Sequence, residues 1–127
     1  MLPGKGQATF TKALAPSFVG RPIPGTFIGV DVQFASALAS GTYYLFCIDA
    51  VSLPANGTVT CLCDPHAIEH TTGHYTNFSW NFDRMGGIYA STGIVIAIST
   101  TQFSGGECNL TITGTSALNC TVYSDAV

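Results

Sequence analysis

Residues 77–83 read Asn-Phe-Ser-Trp-Asn-Phe-Asp, so polar and aromatic side chains alternate without a fault. A period of two is that of a pleated strand, whose successive side chains point to opposite faces. Phe78, Trp80 and Phe82 therefore belong on an inner sheet face, with Asn77, Ser79, Asn81 and Asp83 outside. An aromatic stripe of this kind can also serve as a sugar-stacking platform; a core role is what an inner sheet face requires.

The same period governs residues 27–34, where Ile28, Val30, Val32 and Phe34 alternate with Phe27, Gly29, Asp31 and Gln33. Residues 42–49 (TYYLFCID) and 93–100 (GIVIAIST) are apolar on both faces and read as central strands. The Ser-Leu-Pro-Ala-Asn-Gly turn at 52–57 leads into a strand at 58–63, expected to form a hairpin with 42–49. Shorter strands are expected at 88–91, 108–113 and 120–124, with turns at Gly86-Gly87 and Gly105-Gly106. Helical signals are confined to a turn or two at 33–39 and 67–70. The expected fold is all-β: an antiparallel β-sandwich or jelly roll of about seven or eight strands.

Residues 1–25 differ from this pattern. They hold Lys5, Lys12 and Arg21 together with Pro3, Pro16, Pro22 and Pro24, and no period persists. Each proline fixes φ and biases its predecessor to extended backbone. The segment is expected to be an extended N-terminal arm on a β domain spanning 26–127. Phe10, Phe18, Val19 and Ile23 give it apolar side chains to bury, either on its own domain or on a neighbour.

Composition narrows the function. Four Lys and Arg face seven Asp and Glu in 127 residues, a net charge of −3. Four cations neutralise few phosphates, which disfavours nucleic acid as a partner. Charged residues are only 9% and hydrophobic ones 46%, against about 25% charged in an ordinary soluble domain. A surface so poor in charge is poorly soluble alone, and it points to a subunit covered by neighbours. The apolar centre at 94–98 is far shorter than the roughly 20 residues of a membrane helix, and no membrane partner is expected. The opening residues lack the apolar run of an export signal. The five cysteines (Cys47, Cys61, Cys63, Cys108 and Cys120) are accordingly expected to be reduced, small core hydrophobes. Four Asn-x-Ser/Thr triplets, at Asn56, Asn77, Asn109 and Asn119, are read as a by-product of Thr-rich strands.

Residues 61–74 gather two cysteines and all three histidines. His66-Ala67-Ile68-Glu69-His70 matches the H-x-x-E-H pattern of zinc peptidases, but that chemistry needs a long helix, and Pro65 and Gly73 leave room for two turns. Cys61, Cys63, His66 and His70 are the right elements for structural zinc. However, Cys-x-Cys on a strand spreads its thiols about 7 Å apart. A polar loop with exposed histidines is expected, with no metal and no cofactor. No nucleophile elbow or phosphate loop occurs, and the scattered carboxylates read as solvated charges; the chain is not expected to be an enzyme. Asp49, at the end of an apolar strand, is expected to accept backbone N–H groups and fix the chain's exit turn.

Residues 41–49 (GTYYLFCID), the Pro-Ala-Asn-Gly turn at 54–57 and residues 92–101 (TGIVIAISTT) together resemble the small β-rich structural proteins of tailed-bacteriophage virions, the cement or decoration class. The resemblance is one of strand and turn pattern over residues 26–123. It implies a non-enzymatic subunit, made in the host cytoplasm, that binds the exterior of the capsid. Its partners would be the major capsid protein and copies of itself, a trimer being favoured. Phe10, Phe18, Val19, Arg21 and Ile23 in the arm are then the expected subunit and capsid contacts. The alternative is a receptor- or carbohydrate-binding module of a phage tail or fibre, using loop aromatics such as Tyr75, Tyr89 and Phe103.

Overall fold

The computed structural model describes residues 7–11, 13–82, 84, 86–112 and 117–126. Pro3, Lys5, Lys12, Asp83 and Thr113, all used in the sequence reading, lie outside the described residues. Among the described residues twelve strand segments follow in order: β1 (Gln7–Phe10), β2 (Ser17–Arg21), β3 (Gly25–Phe34), β4 (Gly41–Ile48), β5 (Gly57–Thr58), β6 (His66–His70), β7 (Thr76–Asn81), β8 (Ile88–Ala90), β9 (Ile94–Ser99), β10 (Phe103–Ser104), β11 (Glu107–Leu110) and β12 (Leu118–Asp125). The protein is all-β with antiparallel sheets. Among the described residues no helix is long and apolar enough to cross a membrane.

Among the described residues three sheets are formed. The first runs β1-β12-β3-β7, with β8 pairing the start of β3 on the edge that β7 occupies farther along. The second runs β2-β9-β4-β6, and a small third one runs β10-β11-β5. Twelve segments replace the seven or eight expected because two lie in residues 7–21, two are only two residues long, and residues 66–70 form a strand. The sequence suggests a helical turn at 67–70 within that last stretch. His66–His70 instead pairs along β4, from Gly41↔His70 to Leu45↔His66, and the ladder overrides any local helical tendency.

The main core lies between the first two sheets. Phe27, Val30, Val32 and Phe34 of β3 and Leu118, Cys120 and Val122 of β12 meet Tyr43, Leu45 and Cys47 of β4 and Ile94, Ile96 and Ile98 of β9. Phe78, Trp80 and Phe82 pack against this cluster, as the alternation at 77–83 requires. A second cluster lies on the other face of the second sheet. There Phe46, Ile48, Val95, Ala97 and Leu110 pack with Val59, Cys61 and Cys108. β9 is thus buried at every position, because both of its faces are covered.

One expected face assignment is corrected. Phe27 is buried and Ile28 only half-buried, the reverse of the phase read from residues 27–34. The register of β3 on β12 slips between Tyr123 and Ser124, so Gly29 faces Tyr123 while Phe27 faces Ser124. Ile28 is the extra residue, and a bulge of this kind inverts the alternation at one point. The hairpin expected between 42–49 and 58–63 survives as one bridge, Ile48↔Cys61, flanked by Leu62 N–H to Cys47 O at 2.7 Å and Asp49 N–H to Thr60 O at 2.9 Å. β5 pairs with β11 instead.

Candidate docking edge and outer face

Residues 7–21 lie on the chain's own domain. β1 extends the first sheet beside β12, and β2 extends the second beside β9, so the two strands border the same side of the main core. Gly20 is what allows this closure. A Cβ there would come within 2.7–2.8 Å of the Val122 side chain on β12, closer than two carbons approach.

The arm residues singled out from sequence divide into two groups. Phe18 faces Ile96 in the β2–β9 register and packs against the main core. Arg21 is buried, at 7% exposure. Its Nε donates to the Pro24 carbonyl at 3.1 Å and its Nη1 donates to Gln7 Oε1. Gly25 leaves the space this guanidinium occupies, since a Cβ there would meet Arg21 Nε at 2.2 Å. The Arg21 side chain therefore braces the domain internally. The other three are open to solvent, Phe10 at 60%, Ile23 at 56% and Val19 at 37%, and Leu14 is exposed as well.

Phe10 connects this edge to a surface the sequence reading did not single out. It stands opposite Thr121 and faces outward from the first sheet. There it borders a shallow concavity of about 480 Å³ with Asp31, Gln33, Asn77, Asn119 and Thr121. A second concavity, of about 450 Å³, lies along the same face between Tyr123, Asp31, Ser79 and Asn81, with Gly29 in its lining. Cross-strand bonds order the face. Gln33 Nε2 donates to Asn77 Oδ1 at 3.0 Å, Thr11 Oγ1 donates to Asn119 Oδ1 at 3.0 Å, and the Tyr123 hydroxyl donates to Asp31 Oδ2 at 2.9 Å. The Asp31 contact, as bond and as charge, raises the Tyr123 pKa. The signal was present in the outward positions of three alternating strands, but only the strand order places them side by side.

The cysteine- and histidine-rich segment is dispersed rather than gathered. The His66 ring stacks on Phe78, centroids 4.5 Å apart. His70 is buried edge-on to Phe34 and Tyr43, with Nδ1 2.7 Å from Thr76 Oγ1. Cys61 and Cys63 pack in different clusters. Among the described residues, no three of His, Cys, Asp or Glu are grouped as metal ligands would be. Tyr75, Tyr89 and Phe103 are all exposed, but Tyr89 lies on the edge of the first sheet and Phe103 on the small third one.

Asp49 does accept backbone N–H groups, though not in its own exit turn. It reaches the loop between β8 and β9. Oδ1 accepts from the N–H of Thr92 (2.9 Å), its hydroxyl (2.8 Å) and the N–H of Gly93 (3.3 Å), and Oδ2 accepts from the N–H (3.2 Å) and hydroxyl (2.8 Å) of Ser91. Partial desolvation pushes its pKa upward, but the bonds from Thr92, Ser91 and Gly93 outweigh that and hold it at about 2. No family model, curated protein or solved structure matches the chain.

Proposed function

We propose that the chain is a non-enzymatic structural subunit of a virion, of the capsid cement or decoration kind, docking through its N-terminal edge on the major capsid protein and on copies of itself. The observation that carries this reading is that Phe10, Leu14, Val19 and Ile23, four large apolar side chains within one short stretch of sequence, are all exposed on a chain with 9% charged residues. Large apolar side chains left in water are a cost that docking on a neighbour removes. Repetition of a modest contact over a lattice multiplies its affinity. In this reading the two larger sheets form a β-sandwich or jelly roll, the first sheet's outer face adjoins the contact, and the subunit sits on the capsid exterior as an oligomer, a trimer being favoured. Co-sedimentation with expanded capsids tests it: the native chain pellets with the shells, and a Phe10→Ser/Ile23→Ser variant stays in the supernatant. A chain that remains monomeric at high concentration and ignores capsids overturns the reading.

A second reading, a receptor- or carbohydrate-binding module, is favoured by one observation: the amide-rich outer face with its two concavities, bordered by Phe10 and Tyr123. Sugar sites combine aromatic faces with planar polar groups. A glycan array separates the two, because a cement subunit gives no ligand-specific signal.

A further inference from the structure

The five thiols are spread from residue 47 to residue 120, yet the fold sorts four of them into two couples. Ile48 and Cys61 form a bridge, and Leu62 donates its N–H to Cys47 O, so residues 60–62 run antiparallel beside the end of β4. The chain then bends at Leu62 and Cys63. That bend brings Cys63 against the main core, where Cys47 is fully buried. Cys61 faces the other way, into the second cluster, and finds Cys108 there. β11 supplies Cys108 beside Val59, whose N–H donates to Cys108 O at 3.1 Å. Within each couple both side chains enter the same cluster, Cys47 and Cys63 the main core and Cys61 and Cys108 the second one.

We infer that Cys47–Cys63 and Cys61–Cys108 are two disulfide sites, built so that oxidation fastens the 59–63 segment to β4 on one side and to β11 on the other, with Cys120 remaining a thiol. Neighbouring cysteines must be juxtaposed in this way for a bond to form without backbone movement. The inference is independent of the virion reading, since it concerns the chain's own covalent structure. The oxidant is a small-molecule disulfide, and the exchange balances. A cysteine thiolate attacks one sulfur of the reagent and forms a mixed disulfide, releasing one reagent thiolate. The partner thiolate then attacks the protein sulfur and releases the second. Each couple loses two thiol protons and two electrons, and each reagent molecule becomes two thiols. In the first couple Cys63 is the better attacker, because the hydrogen bond from Cys47 lowers its pKa while burial raises that of Cys47.

The test is oxidation of the folded full-length chain by glutathione disulfide, followed by alkylation of remaining thiols and mass spectrometry. The expected product has lost four hydrogens and carries a single alkyl group, on Cys120. Cys61 and Cys63 share a peptide, so two variants resolve the pairing: Cys61→Ser forms only the Cys47–Cys63 bond, and Cys63→Ser only Cys61–Cys108. The doubly bonded chain needs more urea to unfold than the chain kept in dithiothreitol. Five alkylatable thiols after oxidation, or a Cys61–Cys63 or Cys47–Cys120 bond, overturns the assignment. Circular dichroism of each variant before oxidation verifies that the folded form is being read.

Discussion

Oδ1 of Asp49 receives both the backbone N–H of Thr92 and its hydroxyl, at 2.9 and 2.8 Å, across 43 residues of sequence. One carboxylate at the end of β4 thereby fixes the loop from which β9 starts. Hydrogen bonds to a charged group contribute about 1.5–3 kcal/mol each before solvent screening, and this site is partly solvated. Asp49→Ala is expected to cost about 1–3 kcal/mol, read as a lower urea midpoint at neutral pH.

The same carboxylate gives a pH signature. Its pKa falls from the usual 3.8 to about 2 on folding. A lowered folded-state pKa adds stability above the unfolded value, and that stability is lost as pH drops through the folded one. The native chain should therefore weaken relative to Asp49→Ala between pH 4 and pH 2. Urea titrations of both proteins across that window check it; parallel curves contradict the assignment.

Gly20 and Val122 form a second coupled pair. The space a Cβ would need at Gly20 is filled by the Val122 side chain. Gly20→Ala should cost about 1–3 kcal/mol, as overpacked sites do. Adding Val122→Ala should restore part of the loss made at Gly20, so the double variant is more stable than the sum of the single changes implies.

Phe10 and Arg21, both expected from the sequence to be contact residues, should separate under mutation. Phe10→Ser removes an exposed ring and should change stability by no more than about 0.5 kcal/mol, while abolishing capsid binding if the proposed function holds. Arg21→Ala removes a buried group with two hydrogen-bonded partners and should cost about 2–3 kcal/mol. Thermal melts distinguish the two directly.

His70 offers a test of polar burial. Its Nε2 is buried with no partner among the described residues, in a pocket walled by Phe34 and Tyr43. His70→Phe removes the unsatisfied Nε2 but also the Nδ1 partner of Thr76 Oγ1 and brings a larger ring, so it should cost about 1–2 kcal/mol. His70→Ala should cost about 2–4 kcal/mol through the cavity it opens. Urea denaturation of both variants at neutral pH gives the comparison.

Much of this architecture was legible before any coordinates. The alternation at 77–83 and the apolar runs at 42–49 and 93–100 each became a strand, and the Gly-Gly pairs became turns with positive φ. Periodicity states which way a side chain points relative to its neighbours in sequence. It does not state which strands will lie side by side. The small third sheet, the bulge at Ile28, the amide row formed by Gln33, Asn77 and Asn119, and the meeting of Cys61 and Cys108 in one cluster all depend on strand order. They were invisible for that reason. His66–His70 was misread for another: a five-residue stretch satisfies the helical and the extended template equally until its partner on β4 is known.

β3 lies between β12 on one side and β7 and β8 on the other. During synthesis the second side can be satisfied early, but the first waits for residues 118–125 to leave the ribosome. Until then β3 presents a bare ladder flanked by greasy side chains, and β1 has nowhere to attach. Completion of the first sheet therefore waits for β12, and a nascent chain stalled before it is a ready template for intermolecular pairing.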